Sequence, residues 1–448
     1  WVIKGRKPFW ENVSMPEKWC WLLILCMLFY GALSLFWAID IMFTFQRLFN
    51  LCFDLCFFFM MLRLCQNKKV YQYTLAVCGA AVLILCIMGI YEIFFGGIFN
   101  PEYDTFKRVF LFSHVYQYPM VTFGNTNDYA AALTFTCAIF LLFLGYHWSK
   151  LKPLHFRLLA VGFGLLYFMS VACSARLVIG TVYLLLIGLT VFLLIRDQKR
   201  LRISVDILLC IFCVQFASQY HYIVPPIQQY VDEIKEYHQQ VNDPENSDQE
   251  QTVPSDKPQL VIGNPNKESL AETFYTVDEE TGEKDISGRS NGMRILLILH
   301  AFRCFKESHF LGVGLGNTEM LAKEWEAVSN AQLINIHCFI ARIIGDFGIF
   351  VLIPLVFIGF LLLKRVWQAV ACGLKRKDKQ LVSIGILFLF VLFAYPILST
   401  ISSDAQDILP MWIYLASIVL FAEQIRQDSA AADEPQLEPA PVLSMKKG

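Results

Sequence analysis

Apolar runs of about 20 residues recur along this chain and limit what it can fold into. A helix of that length crosses the ~30 Å hydrocarbon core of a bilayer at ~1.5 Å per residue. Hydrophobic residues make up 56% of the 448 positions and charged residues only 17%, a balance that excludes an ordinary soluble protein. The pattern predicts an all-α fold, a polytopic transmembrane helical bundle. Its ten predicted spans cover about 19–39, 42–62, 71–95, 128–147, 155–173, 175–195, 203–224, 334–363, 380–400 and 408–424.

Basic residues occupy every second loop and predict how the spans are oriented. Lys and Arg concentrate in the cytoplasmic loops of membrane proteins. This alternation predicts a multi-pass membrane protein with both termini in the cytoplasm. The residues are Lys4, Arg6, Lys7, Lys18, Arg63, Lys68, Lys69, Lys150, Lys152, Arg157, Arg196, Lys199, Arg200, Arg202, Lys364, Arg365, Lys375, Arg376, Lys377 and Lys379.

The long segment between the seventh and eighth spans divides the chain. The prediction is N-terminal transmembrane helices at 1–224, an extracytoplasmic loop at 225–333, C-terminal transmembrane helices at 334–425 and a disordered cytoplasmic tail at 426–448. Within the loop, 240–268 is polar, acidic and typical of disorder. The stretch 290–307 is apolar but too short to span, which predicts a helix lying in the outer interface. Position 1 is Trp rather than Met, so one or more upstream helices are expected to precede it.

Arg176 lies in SVACSARLVIG, where two apolar runs meet with almost no polar loop between them. A charge in such a place costs at least ~2.5 kcal/mol unless it is paired or reaches water, so the arginine is a candidate binding residue. The alternative is an interfacial arginine whose side chain snorkels to lipid headgroups. Position alone leaves both open. Glu92, near the outer end of the third span, is a further candidate.

Arg294 opens the predicted interfacial helix. A guanidinium presents a planar fork of donors suited to phosphate oxygens, and the amides of a helix N-terminus also favour an anion. A solvated charge at a helix start is the alternative. Arg303 follows nine residues later, about 180° around the same helix, so the two arginines cannot face one pocket unless the helix breaks. Arg303 is therefore assigned to lipid headgroups together with Lys306.

His337 lies in the first turns of the predicted span 334–363. Histidine is the side chain most easily poised as a base near neutral pH. A hydrogen-bonded structural histidine is the alternative. Arg342 and Asp346 are four residues apart on another face, and they are predicted to neutralise each other because unpaired membrane charges are costly.

Two polar motifs predict local structure rather than nucleotide binding. GVGLGN at 312–317 predicts a tight bend that returns Asn317 and the following helix to the membrane. Asn317 and Arg303 are weaker candidate site residues. No strand precedes it and no GK[ST] follows, which excludes a phosphate-binding loop of that kind. FGNTND at 123–128 predicts a helix cap through Asn127 or Asp128.

Neither the cysteines nor the acidic residues form a metal-binding pattern. Most of the 14 cysteines lie in apolar runs, where cysteine behaves as a small hydrophobe. A disulfide between Cys304 and Cys338 on the non-cytoplasmic side stays open, because spacing does not establish geometry. No metal and no cofactor are expected.

Four stretches in order resemble the O-antigen ligase and polysaccharide polymerase family, membrane glycosyltransferases of the GT-C type. They are FGNTNDYAAAL, the SAR turn, NGMR leading to GVGLGN, and IHCFIARIIGDFG. The resemblance covers most of the chain through short motifs. It implies a bacterial plasma membrane protein in which Arg176 and Arg294 hold the pyrophosphate of an undecaprenyl-linked glycan and His337 assists the acceptor. Cys338 stands where the family often has asparagine.

The resemblance implies a metal-independent glycosyltransferase of cell-envelope biogenesis. Its partners would be the lipid-linked glycan donor, a glycan, lipid or protein acceptor, and the membrane, with no nucleic acid. Breaking the sugar C1–O bond leaves negative charge on the lipid pyrophosphate, which guanidinium groups stabilise. Ligase and polymerase activities both stay open, as do the sugar and the acceptor.

Two functions from other classes also fit. A transporter or flippase of lipid-linked oligosaccharide would bind pyrophosphate through the same arginines and would need no base. The sequence shows no inverted repeat of the kind common in transporters. A non-enzymatic membrane scaffold would instead bind a partner through the acidic loop.

Overall fold

The computed structural model describes residues 13–95, 107–110, 114–123, 125–218, 276–277, 284–285, 290–324, 336, 338–400 and 409–431. Among these residues, nine helices are long and apolar enough to cross a membrane. They are Met15–Trp37, Ile41–Leu64, Lys69–Phe95, Thr126–Tyr146, Pro153–Ala172, Arg176–Arg196, Gln198–Ser218, Ile349–Arg376 and Lys379–Leu398. The chain is an all-α polytopic membrane protein, which confirms the predicted fold class.

The described helices are labelled in chain order. They are α1 Met15–Ser34, α2 Ile41–Leu64, α3 Lys68–Phe95, α4 Thr126–Tyr146, α5 Pro153–Ala172, α6 Arg176–Arg196, α7 202–218, α8 Ser290–Glu307, α9 Asn317–Glu324, α10 Phe339–Phe347, α11 Ile349–Arg376, α12 Lys379–Leu398 and α13 Leu409–Ala431. Short 3-10 turns lie at Leu35–Trp37, Trp148–Lys150 and Gln198–Arg200. Two short antiparallel pairs join β1 Lys107–Phe110 to β2 His114–Gln117 and β3 Thr276–Val277 to β4 Lys284–Asp285.

The prediction of one continuous span at 334–363 is wrong. The chain forms the short helix α10, breaks at Gly348, and only then begins the long span α11. Gly348 has φ +62°, a conformation that glycine adopts without the steric penalty of a side chain. A Cβ at this position would collide with the Leu311 carbonyl group. The glycine therefore permits both the break and the close approach of the preceding loop.

α13 covers the tenth predicted span but is not among the nine apolar helices. Its last turns carry Glu423 and Arg426, which lower its mean hydropathy. The helix nevertheless belongs to the bundle core, since Trp412 and Tyr414 are fully buried. The Tyr414 hydroxyl donates a 2.6 Å hydrogen bond to the Val391 carbonyl and joins α13 to α12.

α12 is central to the bundle and runs antiparallel to α6. At one end, Arg196 Nη2 donates to Gln380 Oε1 at 3.0 Å. Further along, the Cβ position of Gly188 lies 2.7 Å from Phe390. The two helices have 21 and 20 residues, so each is about 30 Å long. The first turn of α6 therefore lies at the same end of the bundle as Ser399, just after α12.

The N-terminal cap of α4 is Asn125, two residues earlier than the sequence motif predicts. Its side chain accepts a 2.8 Å hydrogen bond from the backbone N–H of Asn127. Asn is among the preferred N-cap residues because its short side chain reaches an amide of the first turn. The prediction of Asn127 or Asp128 as the cap is wrong, although the motif marks the right helix start.

Candidate functional site

Arg176 is the first residue of α6, and its side chain is exposed. The turn before it is tightly folded, with Ser174 at φ +54° and the Ala175 side chain buried. The Cys173 thiol lies 3.8 Å from the Pro119 carbonyl and joins this turn to the loop before α4. First-turn amides give a helix start partial positive charge. The guanidinium and the helix end together favour an anion at this place.

Glu92 fixes the loop before α4. Its carboxylate is buried and accepts hydrogen bonds from the backbone amides of Met120 and Val121, at 2.8 Å and 2.7 Å. Val121 has φ +54°, which is unfavourable for a β-branched residue. Glu92 therefore holds a strained turn next to the Arg176 loop, and its predicted contact with a substrate stays a prediction.

α8 packs one face against α10 and leaves the other exposed. Leu297 and Ala301 belong to a small apolar cluster with Ile336 and Cys338. The side chain of Arg294 lies outside the described residues, but its backbone is in α8 one turn before Leu297. The start of α8 is thus close to the residues that flank His337.

Arg303 lies on the exposed face of α8. Its Nε donates to Glu307 Oε1 at 2.7 Å, and both side chains are 62% exposed. An exposed i,i+4 pair of this kind adds little stability. The predicted contact of Arg303 and Lys306 with lipid headgroups stays a prediction.

His337 itself lies outside the described residues, but both of its neighbours are described. Ile336 and Cys338 are buried, and the Cys338 amide donates to the Ile336 carbonyl at 2.7 Å. Cys338 has extended backbone and α10 begins only at Phe339. Ile336 and Cys338 are not helical, and the predicted place of His337 in the first helical turns falls outside the described residues and stays a prediction.

Phe339 connects this segment to the end of α12. Its amide donates a 3.0 Å hydrogen bond to the Ser399 carbonyl, and its ring packs edge-on against Trp412 at 5.9 Å. The segment next to His337 is therefore anchored where α12 ends. The first turn of α6, with Arg176, lies at that end of the bundle, and the start of α8 adjoins the same segment. The helices that bear Arg176 and Arg294 and the residues that flank His337 therefore lie at one end of the bundle.

The glycine turn is fastened between α1, α2 and α10. Tyr30 donates to the Gly312 carbonyl at 2.9 Å and Trp37 Nε1 donates to the Val313 carbonyl at 3.0 Å. Asn317 joins both sides, because its Nδ2 donates to Val313 at 2.8 Å and its Oδ1 accepts from the Ile39 amide at 3.2 Å. Asn317, a predicted site residue, therefore has a structural role in this turn.

A chain of four charged side chains lies beneath the turn, three of them fully buried and Arg47 half-buried. Glu319 lies between two arginines, 3.1 Å from Arg47 Nη2 and 3.3 Å from Arg342 Nη1. Arg342 Nε is also 3.7 Å from Asp346 Oδ2, which confirms the predicted i,i+4 pair. The two acids and two bases balance. Arg47 and Glu319 are 272 positions apart in the chain, so no local sequence pattern predicts their pairing.

Asp346 also caps the start of α9. Its carboxylate accepts from the Gly316 amide at 3.1 Å, the Thr318 amide at 3.3 Å and the Thr318 hydroxyl at 2.6 Å. Complete burial raises the pKa of Asp346, while Arg342 and these hydrogen bonds act in the opposite direction. The carboxylate thus ties α9 and α10 into one unit beside α8.

His300 is a buried histidine that the sequence analysis did not single out. Its Nε2 lies 3.1 Å from the Thr318 carbonyl and joins α8 to α9. Burial lowers the pKa of His300, so the neutral ring is favoured. The sequence could have indicated its burial, because it lies on the same face of α8 as Leu297 and Cys304, which are also buried.

The thiols near the site are not arranged for covalent chemistry. Cys304 and Cys338 are both free cysteines, so the disulfide left open by the sequence is not formed. Burial raises the pKa of Cys304 to about 12 and also raises the pKa of Cys338. Both thiols therefore stay protonated, whereas the thiolate is the nucleophile. The described residues include no group of three or more His, Cys, Asp or Glu side chains placed to hold a metal ion.

Comparison with known proteins finds similarity over one stretch of the chain. Over 147 residues, 33% of this chain, it is 24% identical to the teichuronic acid biosynthesis protein TuaE of Bacillus subtilis (strain 168). The stretch covers 29% of that protein, so less than a third of its length is matched. No protein-family model matches the chain, and no solved structure matches it.

Proposed function

We propose that this chain is a membrane glycosyltransferase that transfers or polymerises a lipid-pyrophosphate-linked glycan on the extracytoplasmic face. One observation carries the proposal: the first turn of α6 with Arg176, the start of α8 with Arg294 and the residues that flank His337 lie at the same end of the bundle as Ser399. Two phosphate-binding cations and one titratable base are the residue types that such a reaction needs. The partial similarity to a teichuronic acid biosynthesis protein supports a setting in cell-surface polysaccharide synthesis.

In the proposed reaction, the acceptor hydroxyl oxygen attacks C1 of the donor sugar. The C1–O bond to the lipid pyrophosphate breaks, and its electron pair stays on the departing phosphate oxygen. Arg176, Arg294 and the first-turn amides of α6 stabilise that charge as it develops. His337 accepts the proton released by the acceptor hydroxyl. The donor already carries its leaving group, so no nucleotide enters the step.

The orientation of the proposed site follows from the basic residues at the opposite end of the bundle. Arg63 and Lys69 lie where α2 ends and α3 begins, and Arg196 lies where α6 ends. A cytoplasmic location for that end agrees with the usual distribution of Lys and Arg. The end with Arg176 would then face outward, where lipid-linked glycans are transferred to the cell surface.

The test is transfer by the purified full chain, supplied with an undecaprenyl-pyrophosphate-linked glycan and candidate acceptors. Arg176→Ala, Arg294→Ala and His337→Ala should each lower the rate by at least about a hundredfold. Arg157→Ala is the matched control, since this exposed arginine of α5 is near the opposite end of the bundle. Laddered products on a gel would indicate a polymerase, and a single transfer would indicate a ligase.

Two outcomes would contradict the proposal. One is transfer at the wild-type rate by both single variants, His337→Ala and Arg176→Ala. The other is no product with any acceptor while the chain moves the lipid-linked glycan across vesicle membranes, which would indicate a flippase.

A further inference from the structure

A cavity of about 310 Å³ lies at the end of the bundle opposite Arg176. It is enclosed by the ends of α1, α2, α3, α4 and α13. Its lining includes His147 at the end of α4, and the next residue, Trp148, donates from Nε1 to Asp197 Oδ2 at 3.2 Å, just after the end of α6. The length of α6, about 30 Å, therefore separates this cavity from Arg176.

The polar wall of the cavity is built from carboxylates whose charges are already balanced. Glu17 is buried, and its carboxylate contacts Arg63 Nη1 at 3.2 Å and Gln66 Nε2 at 3.0 Å. Glu423 is paired with Arg426 at 2.6 Å. These pairs hold oxygen and nitrogen atoms in fixed directions while adding no net charge. Such a wall favours a neutral hydrogen-bonding ligand over an ion.

Aromatic rings form part of the apolar wall. Phe143 and His147 have ring centroids 4.4 Å apart, and Tyr146 packs edge-on against Phe421 at 5.9 Å. Aromatic faces beside oriented amides and carboxylates suit a ligand with apolar C–H faces and several hydroxyl groups. The volume is at the small end of the range for ligand pockets, roughly 300–1000 Å³.

We propose that this cavity binds a neutral sugar ring, either free or as the head group of a glycolipid. The site is separate from the one that carries the proposed transfer, and neither proposal depends on the other. The exposed amides of Gln72 and Gln427 in the lining offer donors and acceptors to sugar hydroxyls, and the tyrosine and phenylalanine rings cover the apolar face of the sugar.

The test measures binding to the full chain purified in lauryldimethylamine oxide, which has no sugar head group. The probes are monoglucosyl diacylglycerol, diacylglycerol, methyl glucoside and phosphatidylethanolamine, and the readout is the unfolding midpoint together with a titration of labelled probe. Monoglucosyl diacylglycerol should raise the midpoint and bind saturably, whereas diacylglycerol should not. Competition by methyl glucoside would indicate that the free sugar suffices, and its failure would indicate that the lipid is needed.

The double variant Gln72→Leu with Gln427→Leu removes two exposed amides of the lining. Affinity for monoglucosyl diacylglycerol should fall at least about tenfold, since two hydrogen-bonding groups are lost. Gln198→Leu is the matched control, an exposed amide at the same end but outside the cavity. Three results would overturn the proposal. The double variant could bind monoglucosyl diacylglycerol as tightly as the wild type, diacylglycerol or phosphatidylethanolamine could bind as tightly as the glycolipid, or no probe could bind. Transfer activity is measured separately, so the two proposals can fail independently.

Discussion

The guanidinium of Arg342 lies 3.3 Å from the carboxylate of Glu319, and neither side chain is exposed. The pair joins α10, which follows the His337 segment, to α9, which follows the glycine turn. Removing one partner of a buried pair leaves an uncompensated charge, which is far more costly than losing a surface pair. The unit formed by α8, α9 and α10 should therefore depend on this contact.

Glu319→Gln should lower the unfolding midpoint strongly, with a loss on the order of 3–5 kcal/mol. The amide would leave both Arg47 and Arg342 facing a neutral group. Glu307→Gln, the same change in the exposed pair with Arg303, should cost only about 0–1 kcal/mol. Thermal unfolding of the two variants in one detergent compares them directly. Similar midpoints would show that the buried pair does not stabilise the fold.

Gly312→Ala should abolish folding or reduce the yield of folded protein severely. Gly312 has φ +86°, and a Cβ would lie 2.5 Å from both the Asp346 carbonyl oxygen and the Gly348 amide nitrogen. Gly359→Ala is the control, because a Cβ there meets nothing within 4 Å and alanine favours a helix. Size-exclusion profiles and midpoints measure both. A well-folded Gly312→Ala protein would contradict the described turn.

Substitutions at Glu92 should affect stability rather than chemistry. Glu92→Ala removes the acceptor of two backbone amides, and hydrogen bonds to a charged group contribute about 1.5–3 kcal/mol each. Glu92→Gln keeps one carbonyl oxygen for Met120 and Val121 and should lower the midpoint less. Transfer rates and midpoints are measured in parallel. If Glu92→Gln abolished transfer while keeping the wild-type midpoint, Glu92 would have a direct part in the reaction.

Stability should decline as the pH falls below about 6.5, the usual pKa of histidine. Burial lowers the pKa of His300 in the folded chain, so below pH 6.5 the unfolded chain binds a proton that the folded chain excludes. The free energy of unfolding therefore decreases as the pH falls towards the folded pKa, and is unaffected by this group above 6.5.

Midpoints measured between about pH 8 and pH 5 test this dependence. His300→Gln should flatten part of the decline, and His155→Gln, the same change at an exposed histidine of α5, is measured beside it for comparison. Identical profiles for wild type and His300→Gln would exclude His300 as the source.

The spans were predictable because length and apolar composition decide them locally. The break inside 334–363 was missed because Gly348 is a single residue between two apolar stretches. Its φ of +62° reflects the Leu311 backbone packed against it, a contact across 37 positions that hydropathy does not record.

In the candidate site, too, contacts between residues close in the chain were predictable and contacts between distant residues were not. The Arg342–Asp346 pair was predictable from helical spacing, since it lies within one turn. The ion pair of Glu319 was not predictable, because its partner Arg47 belongs to α2 and no local pattern links the two residues. Glu92 was noticed as an acid near the outer end of a span, but the backbone amides it binds come from a loop whose path the sequence does not specify.

The charge chain below the glycine turn has a consequence for synthesis of the protein. Arg47 is made 272 residues before Glu319, and at ~5–20 residues per second the ribosome needs tens of seconds to reach that carboxylate. During this interval α2 carries a cation without its final counterion, so the early helices have to keep Arg47 at the membrane–water interface. The mature packing of the first two helices is therefore completed only after most of the chain has left the ribosome.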